Sequence, residues 1–116
     1  SALQAREIET YLDQLDGNNF SPPTDLNLDP ELLTYLVSQD RVVKVNEEIT
    51  FTVATYQKME KQIIDYLKRN GKITVADVRD MFNTSRKYAL PLMEYLDQKK
   101  ITRRTGDERI LANSKL

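Results

Sequence analysis

Residues 73–111 read ITVADVRDMFNTSRKYALPLMEYLDQKKITRRTGDERIL, and the spacing of caps, apolar positions and glycine in this stretch decides the fold. Thr74 stands where a helix N-cap belongs, with Asp77 three residues on to favour the first-turn amides. Val75, Val78, Met81 and Phe82 then form the apolar stripe of a helix of about two turns. After Asn83, Thr84 caps a further helix in which Tyr88, Leu92, Tyr95 and Leu96 share a face, while Ser85, Arg86 and Lys87 occupy its exposed first turn. Pro91 falls inside that helix, frees the Lys87 carbonyl and predicts a bend or local loosening. Two β-capable runs, Ile101–Arg104 and Arg109–Ala112, flank Thr105-Gly106-Asp107-Glu108 and read as a hairpin. Its register stays open, because Thr102, Arg103 and Arg104 cannot all be core.

Working outward, Tyr56, Met59, Ile63 and Leu67 recur at helical steps up to Asn70-Gly71, a natural stop, and Lys72-Ile73 makes a short extended link. Helix, link, helix, turn, helix and hairpin is the order of a winged helix, a helix-turn-helix with a β wing appended. The first half follows a similar order. Leu3, Ile8, Tyr11, Leu12 and Leu15 make a helix ended by Asp16-Gly17, Ser21-Pro22-Pro23-Thr24 is a loop, and Asp29-Pro30 opens a helix with Leu32, Leu33, Leu36 and Val37. Val42–Val45 and Ile49–Val53 around Asn46-Glu47-Glu48 give a second hairpin. The expected fold class is mainly α with small β wings (α+β), as two tandem winged-helix domains over residues 1–54 and 55–116, joined near Ala54-Thr55 with almost no linker.

The chain has 116 residues, 40% hydrophobic and 30% charged, and neither Cys nor His. Thiol nucleophiles, disulfides, imidazole bases and zinc knuckles are thereby excluded. Without a long apolar run or a signal-like start, a soluble, cytoplasmic chain is expected. The net charge of −1 conceals a split: residues 1–54 hold three bases against ten acids, and residues 55–116 hold 14 bases against eight acids. Such asymmetry suggests that the second half faces a polyanion and the first does not.

Seven bases fall within residues 85–109. The candidates are Ser85, Arg86 and Lys87 at the helix start and Lys100, Arg103, Arg104, Thr105, Gly106, Asp107 and Arg109 in and beside the wing. In a winged helix both regions border one surface, where cations, hydroxyls and helix N-terminal amides can converge on phosphates. Lysines and arginines also solvate ordinary faces and guard strand edges from aggregation. Asp107 reads either as a turn former accepting local amides or as an acceptor for a base edge. Tyr88 and Tyr95 read as core at helical spacing, with base stacking as the alternative. Asn46-Glu47-Glu48, Asp29 and Glu31 make the first unit repel phosphates, leaving it a spacer or packing role. A hairpin tip has no water-excluding cleft for the Asp107 and Glu108 carboxylates, and no base, metal set or cofactor motif accompanies them, so neither catalysis nor a cofactor is expected.

The run Thr84–Asp97, S-R-K-x-A-x-x-x-x-E-Y-x-D from Ser85, followed by the T-R-R-x-G-D wing at Thr102–Asp107, resembles the C-terminal winged helix of the bacterial selenocysteine-specific elongation factor family, SelB. Similarity covers residues 55–112 and is only architectural before them. The resemblance implies an mRNA hairpin as partner, the one that recodes UGA as selenocysteine, with the ribosome engaged indirectly through the full-length factor and the chain a monomer. It places Ser85, Arg86 and Lys87 on the hairpin backbone and Arg103, Arg104, Gly106, Asp107 and Arg109 near its loop. The GTPase part of that family lies upstream, and no G-x-x-x-x-G-K-[ST] loop occurs here. A duplex-DNA regulator and a protein-interaction module are the alternatives.

Overall fold

The computed structural model describes residues 1–113; the last three residues of the second expected domain lie outside the described residues. The chain divides into two compact units, one over Ser1–Tyr56 and one from Gln57 onward. The boundary is two residues beyond the expected one and falls inside a continuous helix.

In the first unit, α1 (Ala2–Asp16) and α2 (Pro30–Ser38) precede a hairpin of β1 (Val42–Lys44) and β2 (Thr50–Thr52). Ser1 and Gln4 form a capping box on α1, and Asp29 caps α2 by accepting from the Glu31 amide at 2.8 Å. Tyr11, Leu12 and Leu15 pack with Leu36 and Val42 as the core, with Ile8, Leu26, Leu28 and Leu33 around them. Three residues of the expected stripes do not join it: Leu3 is 68% exposed, Val37 also faces solvent, and Leu32 is half-buried apart from the cluster. At the hairpin, Asn46 Oδ1 accepts from the Glu48 and Ile49 amides, fixing the turn without glycine. Val53, expected in the second strand, instead opens α3 (Val53–Asn70). Its amide donates to the Arg41 carbonyl, and the Thr52 hydroxyl lies 3.1 Å from that of Thr55.

The second unit continues α3, then adds β3 (Ile73–Thr74), α4 (Val75–Met81), α5 (Arg86–Gln98), β4 (Thr102–Thr105) and β5 (Glu108–Leu111). Met59, Ile63 and Leu67 of α3, Val78 of α4 and Ala89, Leu92, Met93 and Leu96 of α5 are buried. Each of these side chains larger than the Ala89 methyl contributes about 1.5–3 kcal/mol of transfer free energy. α3 stops where Gly71 takes φ +84°, a conformation costly for a residue with a Cβ, and donates to the Leu67 carbonyl. The Thr74–Asp77 capping box forms in full: the Asp77 amide donates to Thr74 Oγ1 at 3.1 Å and the Thr74 amide to Asp77 Oδ2 at 2.9 Å. Asn83, at φ +48°, turns the chain between α4 and α5.

Three local expectations change here. The N-cap of α5 is Ser85, one residue beyond Thr84, and its side chain makes no cap bond. Pro91 lies inside the continuous span of α5, where it has no N–H to offer the Lys87 carbonyl. The hairpin turn is two residues long, Gly106-Asp107, because Thr105 and Glu108 pair as the last rung of the ladder. Gly106 has φ +63° and Asp107 does not share the positive sign, the pattern of a II′ turn. The link at Ile73-Thr74 is itself a strand, so the sheet has antiparallel order β3-β5-β4 with Ile73 opposite Arg109.

Candidate nucleic-acid interface

The wing's register sorts its cations. Paired rungs Thr102↔Leu111 and Arg104↔Arg109 share one face of the hairpin, while Arg103 and Thr105 belong to the other. On the first face Thr102 is buried against α5, its hydroxyl donating to Asp97 Oδ1 at 2.6 Å. Arg109 Nε and NH2 donate to Asp97 Oδ2 at 3.2 and 3.1 Å, and the Arg109 side chain is only 3% exposed. Arg109 is therefore corrected from an exposed wing cation to a buried ion-pair partner: it lies on the central strand, where its charge needs the Asp97 carboxylate.

Arg104 remains exposed, and its Nε donates to the Gly106 carbonyl at 2.7 Å, which ties its guanidinium to the turn. A groove of about 330 Å³ opens beside it. Arg86, Leu90 and Glu94 of α5 line one wall, Arg104 and Asp107 of the wing line another, Thr74, Val75 and Ala76 close an end, and Arg109 contributes to its lining. That size is at the small end of ligand pockets, which run about 300–1,000 Å³. With two exposed guanidiniums, Arg86 and Arg104, and two carboxylates, Glu94 and Asp107, among its lining, the groove can hold an anion and also accept N–H donors of a planar ring.

Of the expected residues, the structure thus brings Arg86, Arg104, Asp107 and Arg109 to one groove. Ser85 and Lys87 are exposed beside it in the first turn of α5, Lys87 with its Nζ 5.5 Å from the Tyr88 ring centroid. Arg103 and Thr105 are exposed on the opposite face of the wing, Gly106 forms its tip, and Lys100 is an exposed left-handed residue, φ +61°, between α5 and β4. Tyr88 is buried, as the helical spacing implied, and Tyr95 is half-buried with Lys99 5.8 Å from its ring. Glu94 and Asp97 are the two residues that sequence reasoning passed over. Their only signal was their place in the E-Y-x-D pattern, one turn apart on the helix face that meets the wing.

A second groove of the same unit, about 510 Å³, lies between α3 and α4 and includes Asp65, Asp77 and Asp80 against a single Arg69. Its charge disfavours phosphates. Lys61 hydrogen-bonds the Asp65 carboxylate and holds its pKa below the ordinary value. Among the described residues no helix is long and apolar enough to cross a membrane.

The family model described as "Elongation factor SelB, winged helix" matches residues 65–111. The selenocysteine-specific elongation factor of Desulfomicrobium baculatum is 30% identical over 79 residues, 68% of this chain and 12% of that protein. Its counterpart from Haemophilus influenzae is 39% identical over 70 residues, 60% of this chain and 11% of that protein. The chain therefore spans a small part of the length of these relatives. Among solved structures, the mRNA-binding domain of elongation factor SelB from E. coli, in complex with SECIS RNA, aligns with a TM-score of 0.66 at 24% identity, over 72% of this chain and 69% of that one. A bacterial selenocysteine-specific elongation factor, EF-Sec, aligns with a TM-score of 0.62 at 25% identity, over 73% of this chain and 14% of that one. The matched segment is the winged helix and not the GTPase part of such factors. The chain thus carries, over residues 65–111, a winged helix of the elongation factor SelB family.

Proposed function

We propose that this chain is an mRNA-hairpin binding module of a selenocysteine-specific elongation factor. In this reading Ser85, Arg86 and Lys87 grip the hairpin backbone, and the wing addresses the loop. The observation that carries the reading is the groove whose lining brings together Arg86 and Arg104 with Glu94 and Asp107. A paired A-form stem hides its base edges in a deep, narrow groove, so sequence must be read from unpaired bases that splay out. An extruded purine fits the groove's chemistry: its ring and exocyclic N–H groups can donate to Asp107, and the guanidiniums hold the flanking phosphates. Arg103, Thr105 and Lys100, which lie outside the groove, serve as phosphate contacts. The E. coli SelB domain solved with SECIS RNA shares the fold, which supports a hairpin as the ligand.

The first unit is read as a second winged helix with a spacer or packing role. Its helix-helix-hairpin order and its acidic turn at Asn46-Glu47-Glu48 support this. No cofactor is assigned, and the ribosome is reached through the remainder of the factor. The test is a titration against an RNA hairpin with a looped purine, a loop-scrambled hairpin and a DNA duplex, at low and high salt. Binding of the first well ahead of the others is expected, with a log-log salt slope of roughly −3 to −5 for about five phosphate contacts. Equal binding to all three would reduce the basic face to generic polyanion attraction, and no binding would favour a protein partner.

A further inference from the structure

We propose that Asp97 is a positioning residue for RNA recognition, one that never touches the RNA but sets the groove by clamping both wing strands to α5. The proposal rests on the RNA reading above. Asp97 lies in the last turn of α5, where the carbonyl ends of the helix disfavour an anion. A carboxylate at that place needs compensating partners, and it has them. Oδ1 accepts from Thr102 of β4 at 2.6 Å and Oδ2 accepts twice from Arg109 of β5. One side chain thereby ties the first strand and the second strand of the wing to the helix that supplies Arg86 and Glu94.

The same clamp resolves an electrostatic conflict. Arg109 stands directly opposite Arg104 across the hairpin, a like-charge pair that opposes strand pairing. With Arg109 neutralised by Asp97, its buried charge is satisfied, and Arg104 can point to the groove and bond the Gly106 carbonyl. Without Asp97 the buried guanidinium would seek water or displace Arg104, and the wall carrying Arg104 and Asp107 would shift against the wall carrying Arg86.

The test compares the full chain with Asp97→Asn and Thr102→Val, using the looped-purine hairpin and its loop-scrambled control, with folding checked by circular dichroism. A positioning role predicts that Asp97→Asn weakens the looped-purine hairpin by about tenfold, the scale of one lost base contact, while the control moves by less than about twofold. Thr102→Val, which removes one of the two anchors, is expected to shift the same ratio by a smaller factor. If Asp97→Asn does not fold, Thr102→Val decides alone. Tighter binding of both RNAs would mean that Asp97 acts only as a repelling charge and would overturn the inference. An equal loss for both would also overturn it, because that reports only a smaller folded fraction. If the unaltered chain itself fails to prefer the looped-purine hairpin, the RNA reading falls and the inference with it; if it prefers that hairpin and the variants match it, the inference alone falls.

Discussion

At the residue scale, the wing hairpin holds three arginines in three different surroundings. Arg103, Arg104 and Arg109 are equivalent as letters, yet one faces away from the groove, one lines it and one is buried under an ion pair. The parity of each position follows from a register that two short strands and an imperfect alternation leave undetermined. Asp97 illustrates the same gap from the other side, since an acid in the last turn of a helix looks like a surface residue until its partners are known. The geometry separates the arginines experimentally. Arg86→Ala, Arg103→Ala and Arg104→Ala should each weaken hairpin binding several-fold and reduce the magnitude of the salt slope by about 1. Only the two groove variants should also narrow the preference for the looped purine over its scrambled control, as read by parallel titrations. In the first unit, burial raises the Tyr11 phenol above its ordinary value of 10.0, and the neighbouring Thr50 hydroxyl offsets this in part. The neutral phenol is therefore favoured in the folded state, a contribution intact below pH of about 10 and lost as pH rises through the raised value. Urea midpoints measured from pH 9 to 11 should fall more steeply for the unaltered chain than for Tyr11→Phe.

At the scale of elements, the strongest sequence signals were those in which a local hydrogen bond is written into residue type. The Thr74–Asp77 box and the Asn70-Gly71 stop appear in the structure as read, because each satisfies helix-end groups without help from tertiary packing. Elements defined by long-range pairing were harder. β3 is two residues long and read as a link, since what makes it a strand is β5, where Arg109 pairs with Ile73 from 36 residues along the chain. Val53 looked like strand by β-branching, yet packing made it the first turn of α3. Removing a cap or a turn residue should act locally. Thr74→Ala should cost about 1 kcal/mol in denaturant unfolding through the lost cap. Gly106→Val, at φ +63° with open space around it, should cost about 1–2 kcal/mol from backbone strain and not from a clash.

At the scale of the whole molecule, the charge asymmetry was the clearest guide to function. It follows the division into two units to within two residues and assigns the polyanion-facing surface to the second. Apolar periodicity could not place the boundary, because the stripe that begins at Tyr56 belongs to a helix shared by both units. The central claim, that the groove between α5 and the wing receives the RNA loop, is tested most directly by backbone amide chemical-shift mapping as the looped-purine hairpin is added. The account predicts that shifts concentrate at Ser85–Lys87, Glu94 and Arg103–Asp107 and leave residues of the first unit unmoved. Shifts centred on the first unit, or on the acidic groove at Asp65, Asp77 and Asp80, would contradict it.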